Sequence, residues 1–330
     1  MQKLLLQRGP LPEPLRAQAI AGWSRYDARL ADEREWALEF EKGPAGPAVH
    51  AVVIDGAGRL TGHHCAIPLH LRYEGETLVV AKGEALYVEE DSRDAPASVD
   101  GRLLRPAAAL TRGLYERLGE FGFRAYFGYA TPAAERRHVA SGCVVVRVPY
   151  RRFVDARLAL RRLRLRSPHQ AAAGGSNSQP AGGWAEVTAF EPAWEEGFRR
   201  ALDPERLAFD PSAPQLTWRF PPSLYRLFVL GAPARGYAVV SHAHGRPGRV
   251  VDSAVAPADV GAVPALVSTL RREGLEPDWN APDRTLARAL AKARLLRDPR
   301  RLEYRLVVFG ASPFTDPDRW RLTLAPHERF

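Results

Sequence analysis

Three side chains in the first half of the chain have types suited to proton transfer. Glu84 and Glu89 carry carboxylates that could take a proton from an incoming group, although a solvated acidic loop is the favoured alternative for each. His138 can change charge near neutral pH and so could protonate a departing group. An exposed histidine at the carboxyl end of a helix, where the helix dipole favours its charge, is the structural alternative.

Positive charge gathers at one predicted helix start in the same region. Arg102 and Arg105 precede Pro106, and proline is favoured in the first turn of a helix because its missing amide hydrogen has no partner there. The amide groups and dipole of such a helix start favour anions, and guanidinium groups strengthen that preference. The pattern therefore predicts an anion site at this helix start.

Alternating hydrophobic and polar patterns predict the elements that position these residues. Three strands divided by turns at Asp55–Arg59 and Tyr73–Thr77 are expected over Val49–Val80, and residues 1–35 are expected to form a helical entry. The region that follows is expected to contain a strand, a polar loop, a helix, a strand and a short helix that ends before Gly142: Glu84–Val88, Glu89–Gly101, Leu104–Leu118, Arg124–Tyr129 and Pro132–Ala140.

This order resembles the GNAT (Gcn5-related) N-acetyltransferase superfamily. The resemblance is carried by Ala51–Val88, Gly113–Ala130 and Arg136–Val146. Leu216–Leu230 and Ala234–Val240 resemble the first strands of a second copy. The resemblance implies an α/β fold with two tandem GNAT-like domains, each a mixed, curved β-sheet flanked by helices, as in a group of bacterial proteins.

The resemblance also implies an acyl-CoA site in the first domain. Backbone groups of Leu86, Tyr87 and Val88 would hold the pantetheine arm and thioester, and Thr131 occupies a position that often contacts CoA. The family's pyrophosphate loop, Arg/Gln-x-x-Gly-x-Gly/Ala, aligns with the segment that begins at Arg102. Its remaining positions are Arg105, where the family has its first glycine, and Ala107.

The catalytic roles likewise follow from the resemblance. His138, four residues before Gly142, occupies the position of a tyrosine that protonates the departing thiolate. Glu84 or Glu89, at the end of the strand beside the thioester, would be the base for an amine. No motif for nucleotide triphosphates, dinucleotides, zinc proteases or a serine nucleophile is present, so direct transfer is expected.

The length of 330 residues is compatible with two domains, and the low-complexity segment 167–183 is the predicted linker. The expected domains are residues 1–166, with the acyl-CoA site, and 184–330, which has no pyrophosphate loop and is expected to be structural or to complete the acceptor site. In the second domain Leu216–Phe220 and Arg319–Pro326 are among the expected strands, and Arg151–Arg166 is expected to form a basic helix or arm.

The chain has a net charge of +9, which suits anionic partners but also follows from arginine-rich composition in a GC-rich genome. Its two cysteines, Cys65 and Cys143, provide no disulfide framework. His63, His64 and Cys65 alternate along one strand and cannot all converge on a metal, so no metal is expected. No apolar run is long enough for a membrane span or a signal peptide, and a cytoplasmic protein is expected.

The sequence therefore predicts an acyl-CoA-dependent N-acyltransferase that uses acetyl-CoA or a related acyl-CoA and an amine acceptor, either a small molecule or a peptide. Two alternatives stay open: a non-catalytic binding or assembly module of the same fold, and a Fem-like transferase that uses aminoacyl-tRNA. Nucleic acid is the less favoured partner, and the oligomeric state is not predicted.

Overall fold

The computed structural model describes residues 2–27, 31–129, 131–156, 183–242 and 247–323. It forms two compact units. The first contains residues 1–147 and 305–319, and the second contains residues 148–304 and 320–330. The first unit therefore includes residues 305–319 from the predicted second domain, and the second unit includes residues from 148 onward that were assigned to the first domain. Each of these segments contains part of a strand. Residues 157–182, with nearly all of the predicted linker and most of the predicted basic arm, lie outside the described residues.

The first unit is built on a mixed sheet with helices between its strands. Its sheet order is β6-β5-β1-β2-β3-β4-β7-β16, where β1–β5 and β4–β7 are parallel pairs and the other pairs are antiparallel. The strands are β1 Gln2–Arg8, β2 Val49–Ile54, β3 Leu60–Tyr73, β4 Glu76–Val88, β5 Ala97–Val99, β6 Arg102–Leu104, β7 Tyr126–Tyr129, β8 Val144–Val154 (which continues into the second unit) and β16 Leu302–Phe309 (which begins in the second unit). The helices are α1 Glu13–Ser24, α2 Glu33–Phe40, α3 Pro106–Glu116 and α4 Pro132–Ala140, with 3-10 turns at Glu90–Ser92 and Leu118–Phe121.

The second unit repeats this arrangement. Its order is β9-β11-β12-β13-β14-β8, with β13–β14 parallel and the other pairs antiparallel. In both units four antiparallel strands lead through a helix to a parallel fifth strand. The remaining strands are β9 Trp184–Val187, β10 Ala208–Phe209, β11 Tyr225–Leu230, β12 Gly236–Ser241, β13 Arg249–Val255, β14 Asp278–Ala281 and β15 Leu296–Arg297. The helices are α5 Glu195–Arg200, α6 Ala213–Arg219, α7 Val263–Arg272 and α8 Arg284–Lys292, with 3-10 turns at Pro192–Trp194, Pro257–Ala262 and Pro317–Arg319.

The strands and helices predicted between residues 49 and 140 are confirmed with two exceptions. The third strand of Val49–Val80 and the strand Glu84–Val88 form one continuous strand, β4, and the polar loop is partly ordered. The hairpin of β5 and β6 begins in that loop, and its turn residues Asp100 and Gly101 both have positive φ, at 47° and 77°. Such a two-residue turn matches the twist of the paired strands, and Asp-Gly is a preferred sequence for it. The Asp-Gly pair was therefore the signal for this hairpin in the sequence.

Three other local expectations are wrong. The helical entry expected over residues 1–35 starts only at α1, because residues 3–8 belong to β1 and pair in register with β2. Leu216–Phe220 lies almost wholly in α6, where Leu216 and Phe220 are one turn apart and both buried. Arg151–Val154 is the end of β8, paired with β14, and not the start of a basic arm.

The C-terminal segment also departs from its prediction. Of the expected strand Arg319–Pro326, residues 319–323 are described and form only an isolated bridge, between Trp320 and Leu207. Within the described residues, no helix is long and apolar enough to cross a membrane.

Each unit has its own apolar core. In the first unit the core lies between the sheet and α3, which buries Leu110 and Leu114 against strand residues such as Val49 and Ala81. In the second unit one core cluster contains α7 and α8 and the other contains α5 and α6. Burying a large aliphatic side chain contributes about 1.5–3 kcal/mol to folding stability. Several such side chains on one helix therefore hold its position and direction on the sheet.

Candidate functional site

The site of the first unit is centred on a bulge in β4. Cys65 pairs with Glu84 and His63 pairs with Tyr87, so Ala85 and Leu86 together face the single residue His64. Ala85 has φ 61°, a left-handed conformation that is uncommon for alanine. A bulge of this kind bends its strand and turns the local backbone away from the ladder.

The bend separates β4 from its parallel neighbour. β4 and β7 pair at Ala81 and Lys82, and no pairing between them is found beyond Lys82 in the described residues. One edge of the last part of β4, including Leu86–Val88, therefore has no β7 partner. Such an edge presents backbone donors and acceptors to a ligand that runs alongside it.

A cleft of about 540 Å³ lies beside this edge. Leu86, Tyr87 and Val88 form its strand side, and Arg105 and Ala107 bring the N-terminal end of α3 to it. All five are among the predicted acyl-CoA residues, and the structure brings them together. The remaining lining residues come from α1 and the turn after it, the loop after β4, and α4: Trp23, Tyr26, Arg93, Asp94 and Arg137.

The arginine at the first glycine position of the family pattern does not distort the backbone. Arg105 precedes α3 with φ −59° and ψ 146°, a conformation open to any residue, so glycine is not required there for its φ. Its side chain lines the cleft and makes no side-chain capping bond to α3. With Arg93 and Arg137 opposed only by Asp94 among the lining residues, the cleft carries an excess of positive charge.

Arg102 was predicted beside Arg105 but lies elsewhere. It is on β6, and its Nη1 donates to Oε1 of Glu116 at 3.2 Å. Glu116 is the last residue of α3, so this guanidinium sits at the opposite end of the helix from Arg105. The expectation that both arginines mark the helix start is wrong, because the hairpin turn sends the Arg102 side chain along the helix.

His138 is buried rather than exposed. Only 5% of its surface is accessible, and its Nδ1 forms a hydrogen bond with the Tyr115 hydroxyl. Burial, with a smaller effect from Arg137, lowers its pKa to about 4. The expectation that it titrates near neutral pH is wrong, and this histidine is neutral at pH 7. It ties α4 to α3 and does not line the cleft.

The other predicted side chains also have structural partners. Glu84 pairs with the buried Lys82, and Glu89 accepts a hydrogen bond from Nη1 of Arg25 at 3.1 Å. Thr131 caps α4, because its side chain accepts a hydrogen bond from the amide of Ala134 at 3.3 Å. None of these three residues lines the cleft, and their predicted roles stay predictions.

Trp23, Tyr26 and Tyr87 form an aromatic wall on one side of the cleft, and buried histidines contact this wall on the side away from the cleft. Trp23 and Tyr87 meet edge to face at 5.5 Å, and the indole Nε1 of Trp23 donates to Nδ1 of His63 at 3.0 Å. Neutral His63 must then carry its proton on Nε2, which lies 3.0 Å from Nδ1 of His50. Burial lowers the pKa of His50 to about 4 and also lowers that of His63 well below its usual value.

His63 and His64, which were considered as metal ligands, therefore have structural roles: they support the aromatic wall and the core. His64 donates from Nδ1 to the carbonyl of Glu84 at 2.8 Å, which anchors the bulge. Among the described residues, no group of three or more His, Cys, Asp or Glu side chains is arranged to hold a metal ion.

The sequence did not identify Arg93, Arg137 and the aromatic wall as one site. Arg137 is adjacent to His138, and only the orientation of α4 shows that the arginine, not the histidine, faces the cleft. Trp23 was predicted to lie on an amphipathic helix, for which packing was favoured over a role as one wall of the acceptor pocket.

No protein-family model matches the sequence, and no curated protein is significantly similar to it. Solved structures are similar in fold. A GCN5-related N-acetyltransferase from Anabaena variabilis matches with a TM-score of 0.60 and 13% identity, over 92% of this chain and 72% of that chain. One from Kribbella flavida matches with a TM-score of 0.58 and 13% identity, over 93% and 71%.

A third similar structure is the Saccharomyces cerevisiae N-myristoyltransferase with bound myristoyl-CoA. It has a TM-score of 0.52 and 13% identity, over 98% of this chain and 84% of that chain. At these identities the likeness establishes the fold. The repeated strand order of its two units agrees with it, and the chain is a tandem protein of the GCN5-related N-acetyltransferase fold.

Proposed function

We propose that the chain is an acyl-CoA-dependent N-acyltransferase whose acyl-CoA site is the cleft of the first unit. The observation that carries this proposal is a single cleft that joins the unpaired edge of β4, at Leu86–Val88, to Arg105 at the start of α3. A CoA thioester has an amide-bearing arm at one end and phosphates at the other. The two ends of the cleft offer complementary chemistry to those two parts.

The phosphate end of the ligand would lie at α3. The first amides of this helix have no partner within it, and its dipole favours an anion. Arg105 and Arg137 would contact phosphate oxygens, and Arg93 would add a third positive charge. Ala107 has a small side chain, so the backbone can be approached closely there.

The arm of the ligand would lie along β4. Its amides would pair with free backbone groups of Leu86–Val88, as an added strand pairs with a sheet edge. The bulge at Ala85 turns the backbone beside this edge, where an amide could stabilise negative charge that develops on the thioester oxygen.

Transfer would be direct. The acceptor nitrogen forms a bond to the acyl carbon, the carbon–sulfur bond breaks, the electron pair leaves with sulfur, and the amine proton passes to solvent or to the thiolate. His138, Glu84 and Glu89 are held by Tyr115, Lys82 and Arg25, so we assign none of them to the reacting atoms. Catalysis would then come mainly from orientation of the two reactants.

The acceptor would enter past the aromatic wall. Tyr26 is 63% exposed at the edge of the wall, and Trp23 is fixed by its hydrogen bond to His63. An aromatic surface fixed in this way suits an acceptor with an apolar part next to its amine. The yeast N-myristoyltransferase, which has a similar fold, is known with myristoyl-CoA bound, and this supports the choice of an acyl-CoA donor.

The test compares two neighbouring arginines of α4. Acetyl-CoA would be titrated calorimetrically into the wild type, Arg137→Glu and Arg136→Glu, since Arg136 is exposed and does not line the cleft. We expect micromolar binding that Arg137→Glu weakens at least tenfold and Arg136→Glu leaves within about twofold. Thiol release would then be followed with a panel of amines.

The outcomes separate the proposal from its alternatives. No binding of acetyl-CoA or a longer acyl-CoA at about millimolar concentration would refute the acyl-CoA site. Binding without thiol release for any amine would favour the non-catalytic module, and salt-sensitive binding of tRNA in place of CoA would favour the Fem-like transferase.

A further inference from the structure

The second unit carries a groove lined by arginines. Arg284 and Arg288 on α8, Arg151 on β8 and Arg297 on β15 line it, and we call these four residues the arginine groove. Its volume is about 430 Å³, and it is open along its length. It lies wholly within the second unit and shares no residue with the cleft described above.

The charges of the arginine groove are uncompensated. None of its four guanidinium groups forms an ion pair or a side-chain hydrogen bond with another described residue. The two nearest carboxylates in the sequence are already engaged. Asp283 accepts the Leu286 amide at 2.8 Å and so caps α8, and Asp298 holds Arg300 at 2.6 Å.

This contrasts with arginines elsewhere in the unit. Arg271, for example, donates to Asp155 at 2.6 Å, and Arg235 donates to Asp259 at 2.7 Å. Four like charges around one groove repel one another, and this repulsion is relieved when an anion binds. The arginine groove therefore fits an anionic partner.

The floor of the groove is aliphatic. Arg284 and Arg288 are one helical turn apart, and Ala287 and Ala291 lie between and beyond them on the same side of α8. Leu296 is 49% exposed beside them. Phe153 is the aromatic lining residue and is only 4% exposed, so the groove has no face on which a base could stack.

We propose that the arginine groove binds an acidic segment of a partner protein, in which glutamate or aspartate alternates with leucine-like side chains. The carboxylates would form ion pairs with the guanidinium groups, which bind carboxylates through bidentate hydrogen bonds. The aliphatic side chains would cover Leu296 and the alanines. This partner site is additional to the acyltransferase activity and does not depend on it.

The test uses a short fluorescein-labelled peptide that alternates glutamate and leucine, with binding to the full chain followed by fluorescence anisotropy. The variant Arg284→Glu/Arg288→Glu is compared with Arg34→Glu/Arg301→Glu. The second pair consists of exposed arginines outside the groove and changes the net charge equally. We expect the groove variant to weaken binding more than about tenfold and the control variant less than about twofold.

A glutamate–serine peptide of the same charge tests the floor and should bind at least several-fold more weakly than the glutamate–leucine peptide. Equal weakening by both variants would refute the proposal, since it would show non-specific attraction to net charge. Tighter binding of single-stranded RNA that the groove variant abolishes would also refute it. If circular dichroism shows that the groove variant is not folded, Arg288→Gln/Arg297→Gln replaces it.

Discussion

The positions of Arg102 and Arg105 give the sharpest test of the proposed acyl-CoA site. The family pattern places both at the pyrophosphate, whereas the structure brings only Arg105 to the cleft and directs Arg102 to Glu116. Replacing each by alanine removes the same charge from positions three residues apart. The two variants should therefore differ in CoA affinity although they are matched in charge and sequence neighbourhood.

The expected magnitudes follow from the contacts. A hydrogen bond between a charged arginine and a phosphate contributes about 1.5–3 kcal/mol, so Arg105→Ala should raise the dissociation constant roughly tenfold to 150-fold. Arg102 and Glu116 have side chains that are 46% and 43% exposed, and such a surface pair contributes at most about 1 kcal/mol to stability. Arg102→Ala should leave the dissociation constant within about twofold.

The assay is calorimetric titration of acetyl-CoA at low and at high salt. The effect of Arg105→Ala should shrink at high salt, because ions screen the exposed phosphates. S-acetylpantetheine, which has no phosphate, should bind both variants and the wild type equally. If Arg102→Ala weakens acetyl-CoA binding as much as Arg105→Ala does, the placement of the phosphates at the start of α3 is refuted.

Two further predictions concern the scaffold behind the cleft. An added Cβ at Gly83 would lie 1.8 Å from the Tyr126 hydroxyl, whereas one at Gly119 would meet no atom within 4 Å. Gly83→Ala should therefore lower the free energy of unfolding by about 1–3 kcal/mol and Gly119→Ala should not, as measured by urea denaturation; equal stability of the two variants would contradict the packing. The second prediction is acid lability: burial lowers the pKa of His50 and His138 to about 4, so the unfolded chain binds their protons first as the pH falls below about 6.5. The free energy of unfolding should be at its full value above about pH 6.5 and should be lower by about 2 kcal/mol per histidine at about pH 5. His138→Gln should make this pH dependence less steep, whereas the exposed His242→Gln should leave it unchanged. A wild-type protein with no pH dependence in this window would contradict the buried state of these histidines.

Much of the fold was predictable because its signals are local. The apolar runs of β2, β3 and β4 with the turns between them, the apolar face of α3 and the proline at its start all depend on neighbouring residues. The Asp-Gly turn between β5 and β6 was also visible but lay in an otherwise polar stretch. The first strand was harder to identify, because a short apolar segment such as residues 2–8 becomes a strand only when β2 pairs with it.

The site was predictable in part. Leu86–Val88, Arg105 and Ala107 could be placed from the family pattern, since each belongs to the end of one predicted element. Arg137 could not be separated from His138, because adjacent helix residues differ by about 100° in direction and only the packing of α4 decides which one is buried. The position of Trp23 in the cleft depends on its hydrogen bond to His63, a residue 40 positions away in the sequence.

Most strands and helices between residues 49 and 140 could be predicted from the residues alone. So could the strand that ends at Val88, the positive helix start at Arg105 and the absence of motifs for other chemistries. These properties follow from hydrophobic period, proline position and residue type, which act over a few residues. The direction of each charged side chain depends on how the elements pack. Four of the predicted site residues form hydrogen bonds or ion pairs with other side chains: Arg102, His138, Glu84 and Glu89. Such pairing is expected, because a buried polar or charged group without a partner destabilises the fold. Arg105, Arg137 and the arginine groove form no ion pair with another described residue, and these are the positions at which we propose that an anion binds.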